Sequence, residues 1–292
     1  MKITNKFNLP SGFYNAASTD DTHTPVDKHY SVTTLLKPDR AILLERRHFN
    51  EIEEDVADRL WQVFGTAVHS ILEKADTSGN VELQFQHNVI DDYVLTGRLD
   101  ILDADNGVIE DYKTASVWKI IRADFDDWKR QGLMYAWLVL KSGKGYVNKL
   151  RFHALLKDWS PMDKKKAGYT KSYYPERAIY TYEYEISSQD YVEIENYIEQ
   201  RFNSLIQSEK LTDDELPVCS QAERWNDGEK YAVKKPGAAR AMRVFDDKDE
   251  AEDFRLSNPG TIIENRPGED KRCNYYCSCC EFCTHYKKES VK

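Results

Sequence analysis

The chain has 292 residues, of which 40% are hydrophobic and 31% are charged, the profile of a globular protein with a sizeable core. No run approaches the roughly 18 apolar residues of a membrane helix, and no apolar segment near the N-terminus resembles a secretory signal, so we expect a cytoplasmic protein with no membrane partner. The 50 acidic against 41 basic residues give a net charge of −9, which excludes a generally basic nucleic-acid coat.

Hydrophobic spacing predicts the elements of the N-terminal half. Residues 1–30 are polar and predict an irregular arm, after which Ser31 or Thr33 can cap a short helix. Apolar residues at three- and four-residue spacing predict an amphipathic helix over 50–75. Its predicted core face consists of Ile52, Val56, Leu60, Val63, Ala67 and Ile71. Segments rich in β-formers predict three strands, at 83–90, 93–102 and 107–113.

The C-terminal half continues the alternation of helices and strands. The predicted elements are a helix over 124–141, strands over 149–156 and 178–184, and a helix from Ser187 or Ser188 to about residue 207. After residue 217 the composition changes, with most of the cysteines, several loops and a short helix near 247–256. The sequence therefore predicts an α/β protein in three parts: an arm at 1–30, a core at 31–216 and a small Cys-rich C-terminal subdomain at 217–292.

The predicted strand at 107–113 carries a pair of residues suited to catalysis. Because residues two apart on a strand share a face, Asp111 and Lys113 point to one side while Glu110 and Tyr112 point to the other. A carboxylate beside an ammonium group suits phosphodiester hydrolysis, since the carboxylate can hold a divalent cation and the lysine can offset charge on the phosphate. A surface ion pair is the alternative for an isolated Asp-x-Lys.

Polar residues on neighbouring predicted elements favour the catalytic interpretation. A hairpin would place Asp100 beside Asp111, which gives an oxygen-rich site for Mg²⁺ or Mn²⁺. His69 lies on the long predicted helix, where a purely structural histidine is the alternative. Gln131 and Tyr135 are four residues apart on the next predicted helix and therefore present two hydrogen-bonding groups on one face.

In chain order, these motifs resemble the RecB-like branch of the PD-(D/E)XK nuclease superfamily, over about residues 31–135. The matching motifs are Gly65-Thr66-x-x-His69, Gly97-x-x-Asp100, Asp111-Tyr112-Lys113-Thr114 and Gln131-x-x-x-Tyr135. The segment 31–35 looks like the family's N-terminal helix, and the cysteine-containing tail is similar to phage- or prophage-type members. The resemblance implies a restriction-endonuclease-like core, in which a mixed central β-sheet is flanked by helices.

The resemblance also implies a role for each matching residue. The metal ligands for Mg²⁺ or Mn²⁺ would be His69, Asp100, Asp111 and the backbone carbonyl of Tyr112. The residues acting in catalysis would be Asp100, Asp111, Lys113, Gln131 and Tyr135, with Lys113 as the catalytic lysine and the last two positioning DNA or supporting the site. Glu110 could also be taken for the acidic ligand, but strand parity favours Asp111 because it shares a face with Lys113.

Residues 157–177 form a basic segment within the acidic chain. The segment holds six Lys or Arg and three Asp or Glu, a local charge of +3, with aromatic residues between the lysines. Lysines can neutralise phosphates while aromatic faces stack on unpaired bases, so the segment predicts a contact with single-stranded DNA or a DNA end. A solvated surface loop is the alternative. The predicted DNA-binding residues are Lys164, Lys165, Lys166, Tyr169 and Lys171.

The six cysteines are concentrated at the C-terminal end, and none precedes residue 219. Without a secretory signal, this density favours a metal site over a disulfide framework. The predicted ligands of Zn²⁺ or an iron–sulfur cluster are Cys219, Cys273, Cys277 and Cys283. Cys279 and Cys280 could replace either of the last two, and unligated thiols in a small core are the alternative. The set departs from RecB-like nucleases that bind a [4Fe–4S] cluster through one cysteine before the core and three after it.

The expected function is therefore that of a metal-dependent DNA exonuclease, acting in phage or prophage DNA recombination, repair or processing. DNA ends or single strands are the expected partners, and a recombination partner protein and self-association remain open. A catalytically inactive DNA-end-binding module of the same fold is one alternative, and a structural metal-binding protein is another. No Walker-type phosphate loop occurs in the sequence, so we expect no helicase motor in this chain.

Overall fold

The computed structural model describes residues 1–19, 24–75 and 81–290. The chain forms two compact units. The first unit comprises Met1–Lys37 and Arg46–Lys210, and the second comprises Pro38–Glu45 and Leu211–Lys292. The second unit thus contains a short segment from the N-terminal part of the chain in addition to the C-terminal residues.

The N-terminal residues contain regular structure, so the prediction of an irregular arm is wrong. They form β1 (Lys2–Thr4), α1 (Ser11–Thr19) and β2 (His29–Ser31). The next elements are α2 (Val32–Leu35), α3 (Asp39–Arg47), β3 (Glu53–Asp55) and α4 (Val56–Ala75). Strand β1 pairs in parallel with β3, so β1 depends on a long-range pairing that no local sequence pattern reveals. Ser31 caps α2 as predicted, because its side chain accepts a hydrogen bond from the backbone N–H of Thr34.

The first unit is built on a six-stranded mixed sheet. The strands and helices that follow α4 are β4 (Val81–Ile90), β5 (Tyr93–Asp103), β6 (Val108–Ala115), α5 (Val117–Ile121), α6 (Asp126–Lys141), β7 (Lys149–Leu156), α7 (Pro161–Thr170), β8 (Ile179–Glu185) and α8 (Ser188–Ser208). The strand order is β2-β5-β6-β7-β8, with β4 paired to β5. Strands β6 and β7 are parallel, whereas β5–β6 and β7–β8 are antiparallel. The predicted α/β class, with a mixed central sheet flanked by helices, is confirmed.

Helices α6 and α8 contribute much of the core of the first unit. Helix α8 begins at a capping box, in which the Ser187 hydroxyl accepts from the backbone N–H of Asp190 and the Asp190 carboxylate accepts from the backbone N–H of Ser187. Its buried face repeats every three or four residues. The fully buried side chains of this face are Ile198, Phe202 and Leu205.

The predicted core face of α4 is buried at its N-terminal end and becomes exposed toward its C-terminal end. Only Val56 and Arg59 of this helix are buried, and Ile71 at its C-terminal end is 67% exposed. The apolar periodicity identified the helix correctly, but periodicity alone does not show whether a partner covers the apolar face. Among the residues that the structure describes, no helix is long and apolar enough to cross a membrane.

The basic segment at 157–177 is not a simple surface loop, because it contains α7. Ser160 caps this helix by accepting a hydrogen bond from the backbone N–H of Asp163, and Pro161 occupies the first helical turn, where its missing N–H costs nothing. The helix ends at Lys171, which adopts a left-handed conformation with φ of 56°. No residue of α7 is buried, so local capping signals rather than core packing define this helix.

The second unit has its own small sheet and core. Its elements are β9 (Lys230–Lys234), β10 (Arg243–Phe245), α9 (Lys248–Leu256), β11 (Ile262–Arg266), α10 (Lys271–Tyr275), a 3₁₀ turn (Cys280–Phe282) and α11 (Thr284–Ser290). The sheet is antiparallel in the order β10-β9-β11. Val233, Phe245 and Ala251 form its buried centre. The helix predicted near 247–256 is confirmed, with Asp247 as its N-cap.

Candidate functional site

The two predicted acidic ligands lie beside each other on neighbouring strands. Ile101 of β5 pairs with Glu110 of β6, so Asp100 and Asp111 occupy the next position along each antiparallel strand. The Asp100 carboxylate accepts a hydrogen bond of 2.7 Å from the backbone N–H of Tyr112. The structure therefore brings Asp100, Asp111 and Tyr112 together. A role for the Tyr112 carbonyl in metal binding stays a prediction.

Asp111 and Lys113 form the ion pair expected from their shared strand face. Lys113 Nζ lies 2.6 Å from Asp111 Oδ2 and donates a hydrogen bond of 2.9 Å to Gln131 Oε1. Gln131 Nε2 in turn donates to the Tyr135 hydroxyl at 3.0 Å. Asp111 is only 4% exposed, and its burial raises the pKa of the carboxyl group, an effect that Lys113 opposes. Gln131 and Tyr135 thus orient the lysine from helix α6.

Glycine at position 97 allows α6 to approach the sheet closely. A Cβ atom at Gly97 would lie 2.8 Å from Leu138 Cδ1 and 3.0 Å from the ring of Tyr135. These distances are too short for an alanine unless the side chains of Leu138 and Tyr135 shift. The glycine of the Gly97-x-x-Asp100 motif therefore has a packing role, which is to seat Tyr135 against β5, beside the strand position of Asp100.

His69 reaches the same site from helix α4. Its Nδ1 lies 3.3 Å from Asp100 Oδ1, and this hydrogen bond raises the pKa of His69, while burial of the imidazole opposes the shift. Helix α4 lies close to β6 one turn earlier, where a Cβ at Gly65 would be 3.5 Å from Thr114 Oγ1. Thr114 therefore bounds the surface of α4 at Gly65, and this close approach helps to place the imidazole at the carboxylates.

Glu82 is a further member of the site that the sequence analysis missed. One ligand atom each from His69, Glu82 and Asp100 lie within 4.8 Å of one another. Glu82 has a φ of 53° within β4, a left-handed conformation that is strained for a residue with a side chain. Its Oε2 lies 2.6 Å from Arg98 Nε, and partial burial is the largest cause of the raised pKa of Glu82.

A register shift explains why the sequence did not reveal Glu82. A regular hairpin extended from the predicted turn would place Leu83 opposite Asp100. The pairing of β4 with β5 shifts between Asn88 and Ile90, and this irregularity slides the register by one residue, so that Glu82 lies opposite Asp100. A shift of one residue moves every side chain of a strand to the opposite face. The contact between Glu82 and the site therefore follows only if the bulge in the hairpin is known.

The donor set of the site fits a hard divalent cation. Carboxylate oxygens and an imidazole nitrogen are ligands that Mg²⁺ or Mn²⁺ can take. Asp111 Oδ2 is buried, and its partner is the Lys113 ammonium group at 2.6 Å. A buried carboxylate oxygen is costly unless positive charge offsets it. The residues that could hold a cation are His69, Glu82, Asp100 and Asp111.

Glu110, the other acidic residue of the motif, is engaged on the opposite face of β6. Its carboxylate lies 2.7 Å from Arg151 NH1 and 2.9 Å from His153 Nε2. Both partners belong to the neighbouring strand β7. These contacts separate Glu110 from the Asp111–Lys113 pair, in agreement with the strand-parity argument.

The five predicted DNA-binding residues lie on α7 and at its C-terminal end. Among the described residues, their ion-pair partners are not residues of the metal site. Lys164 pairs with Glu176, and Lys166 pairs with Asp163 at 3.1 Å. Tyr169 is 77% exposed, and the side chain of Lys165 is exposed as well. Local carboxylates thus offset part of the positive charge that the sequence analysis assigned to DNA binding.

A separate feature in the second unit brings all the cysteines of the chain to one cavity. The cavity has a volume of about 30 Å³, and its lining consists of Arg40, Ala41, Leu44, Tyr286 and the cysteines at 219, 273, 277, 279, 280 and 283. None of the cysteines is in a disulfide. Arg40 is 3% exposed and donates from Nε to Cys283 Sγ at 3.2 Å. The predicted tetrad therefore meets in space, next to a buried positive charge.

The thiols of this cluster differ in their acidity. A hydrogen bond with Cys279 lowers the pKa of Cys277 to about 7, whereas burial raises the pKa values of Cys219 and Cys273 to about 11. Cys279 is 1% exposed, and its Sγ is 3.7 Å from the carbonyl of Ala41. A metal would have to displace protons from the cysteines with raised pKa values, so its affinity would increase with pH.

The spacing of the cysteines is wider than a preformed zinc site. Among the described residues, no three cysteine sulfurs all lie within 4.8 Å of one another. Four sulfurs at 2.3 Å from one tetrahedral zinc would be about 3.8 Å apart. The thiols are therefore not arranged as a closed tetrahedral zinc site.

Comparisons with known proteins add little to this description. No protein-family model matches the chain, and no curated protein matches it. A solved structure described as "Crystal structure of SSO0001" is similar over 65% of this chain and 83% of that chain, with 16% sequence identity and a TM-score of 0.45. A similarity at this level carries no conclusion about fold family or activity.

Proposed function

We propose that this chain is a Mg²⁺- or Mn²⁺-dependent deoxyribonuclease, an exonuclease of the PD-(D/E)XK superfamily with a restriction-endonuclease-like core. The observation that carries the proposal is the convergence of two groups of side chains. One group is the His69–Glu82–Asp100 cluster, whose ligand atoms lie within 4.8 Å of one another. The other is the Asp111–Lys113 ion pair, and the backbone N–H of Tyr112, between these two residues, donates to Asp100.

The side chains of this site have separable tasks in phosphodiester hydrolysis. Lys113 places a positive charge where the phosphate becomes more negative, and Gln131 and Asp111 fix its ammonium group in one position. His69, Glu82, Asp100 and Asp111 would hold the cation. When bound, a divalent cation would polarise the phosphate and lower the pKa of the attacking water.

The burial of the site matches this division of tasks. Asp111 is almost fully buried, and like charge on Asp100 adds to the cost of ionising it. The protein bears this cost at a position where a purely structural role would be filled better by an apolar residue. Carboxylates that repel one another in this way are typical of a site that receives a cation.

The proposal is tested with end-labelled linear DNA and covalently closed circular DNA, each incubated with the purified chain. We expect progressive loss of nucleotides from linear DNA with Mg²⁺ or Mn²⁺, no loss with EDTA, and intact circles. Cleavage of circles would overturn the exonuclease assignment while keeping the nuclease. DNA binding without any cleavage would favour the alternative of a DNA-end-binding module.

For the second unit, we propose a structural metal site at Cys219, Cys273, Cys277 and Cys283 that binds Zn²⁺ or an iron–sulfur cluster. The purified protein is analysed for iron, acid-labile sulfide and zinc after anaerobic preparation. A brown protein with iron and sulfide supports the cluster. Zinc without iron contradicts the cluster but keeps a metal site, and the absence of both metals leaves the thiols unligated.

A further inference from the structure

An exposed tryptophan lies on helix α4, the helix that carries His69. Trp61 is 63% exposed, and its ring packs edge to face against Phe64 at a centroid distance of 6.1 Å. Phe64 is itself 37% exposed. Large aromatic side chains dominate binding energetics when covered, so two adjacent exposed rings indicate a surface that receives a partner.

A lysine of the basic segment is positioned over the ring of Trp61. The ammonium group of Lys157 lies 4.3 Å from the ring centroid, within the range of a cation–π contact. The backbone N–H of Lys157 donates to the carbonyl of Ala115 at 3.0 Å. Ala115 is two residues beyond Lys113, so an aromatic face and a positive charge stand together at the end of the catalytic strand.

The spacing along α4 relates this pair to the metal ligands. Trp61 precedes Gly65 by one turn, and Gly65 precedes His69 by one turn, so the three positions follow one side of the helix. The helical rise between Trp61 and His69 is about 12 Å. That length corresponds to about three or four stacked nucleotides at 3.4 Å each.

We propose that Trp61 and Lys157 form a nucleotide-binding subsite for a DNA strand, with a base stacked on the indole and the adjoining phosphate paired with the ammonium group. The subsite rests on the proposed nuclease function and names the part of the substrate that it holds: a base a few nucleotides from the scissile phosphate. Stacking is tolerant of sequence, because each base has an aromatic face. The subsite would hold the strand in register with the metal ligands.

The binding test uses a Lys113→Ala background, so that DNA stays intact. Single-stranded oligonucleotides carry 2-aminopurine at one position, which is moved stepwise from the first to the sixth nucleotide from the end. We expect fluorescence quenching at one or two adjacent positions and loss of that quenching in Trp61→Ala. Affinity should fall about 5-fold to 100-fold in Trp61→Ala, as for the loss of one stacked base, and recover substantially in Trp61→Phe.

Trp225→Ala is the matched control, because Trp225 is 50% exposed and lies under Arg272 at 5.6 Å, but belongs to the second unit. We expect this variant to bind DNA as the parent does. Equal affinity and equal quenching in the Trp61→Ala and parent proteins would overturn the subsite while leaving cleavage by the wild-type chain untouched. Equal losses in Trp61→Ala and Trp225→Ala would overturn it as well, and a wild-type chain that neither binds nor cleaves DNA would overturn both proposals.

Discussion

The carboxylate–lysine site of the first unit and the cysteine cavity of the second unit rest on different kinds of backbone. Asp100, Asp111 and Lys113 lie on paired strands, where the register fixes which side chains meet. The cysteines come from a loop, from α10 and from the turns that follow it. The two sites therefore differ in how closely their groups meet. In the first site, Lys113 Nζ lies 2.6 Å from Asp111 Oδ2, whereas among the described residues no three cysteine sulfurs lie within 4.8 Å of one another.

This comparison indicates which kind of site can be recognised from a sequence. Strand parity placed Asp111 and Lys113 on one face and Glu110 on the other, and the contacts of Glu110 with Arg151 and His153 agree. The cysteine density predicted that the thiols would meet, but spacing along a loop does not determine which four would bind a metal. All six line the cavity, so the structure does not single out four of them as ligands.

Lys113→Ala gives the largest expected effect on the first site. Loss of the positive charge should abolish measurable cleavage, a decrease of about 100-fold to 1000-fold or more, while Mn²⁺ binding persists. The measurement is the initial rate of nucleotide release, with Mn²⁺ affinity determined in parallel. Lys149→Ala is the matched control, because Lys149 pairs with Glu185 near the opposite end of the sheet strands. A Lys113→Ala protein with the wild-type rate would refute the catalytic assignment.

Glu82→Gln tests Glu82, the member of the first site that the sequence did not reveal. Removing its charge should weaken Mn²⁺ binding by about 10-fold to 100-fold, as for other groups that support a metal site. Calorimetric or electron paramagnetic resonance titration measures the change. Glu185→Gln, a change at an exposed ion-paired glutamate, serves as the control. Unchanged affinity in Glu82→Gln would show that Glu82 only pairs with Arg98.

Asp190 offers a contrast within the first unit, because its charge is stabilised rather than penalised. Hydrogen bonds from Ser187, Tyr184 and Lys129 overcome burial and lower the pKa of Asp190 to about 2. The folded-state pKa is below the unfolded value, so the stabilisation is complete above about pH 4 and is lost as the pH falls through about 2. Asp190→Asn should therefore lower the free energy of unfolding by about 2 kcal/mol at pH 7, with a smaller difference at pH 3.

Urea unfolding of the wild type and Asp190→Asn between pH 7 and pH 3 measures this effect. Asp92→Asn is the control, since Asp92 forms an exposed ion pair with Lys28 and should change stability by less than about 1 kcal/mol. A stability difference for Asp190→Asn that does not shrink toward pH 3 would contradict the assigned role of its charge.

Several parts of the structure could be predicted from local pattern alone. The β7 boundaries, the Ser31 cap and the α9 cap follow from alternation and capping chemistry. The N-terminal strands could not be predicted, because β1 pairs with β3 across about fifty residues. Glu82 was missed because a bulge moved the register by one residue. The exposure of Trp61 could not be foreseen either, since periodicity shows a helix but not what covers it.

The central claim is that Asp111, and not its neighbour Glu110, belongs to a metal-dependent nuclease site. The most direct measurement is the rate of Mg²⁺-dependent degradation of end-labelled linear DNA by Asp111→Asn and Glu110→Gln, compared with the wild type. The account predicts no detectable degradation by Asp111→Asn and, because Glu110 is held by Arg151 and His153 on the other face, a near-normal rate for Glu110→Gln. Full activity in Asp111→Asn, or its loss only in Glu110→Gln, would contradict the account.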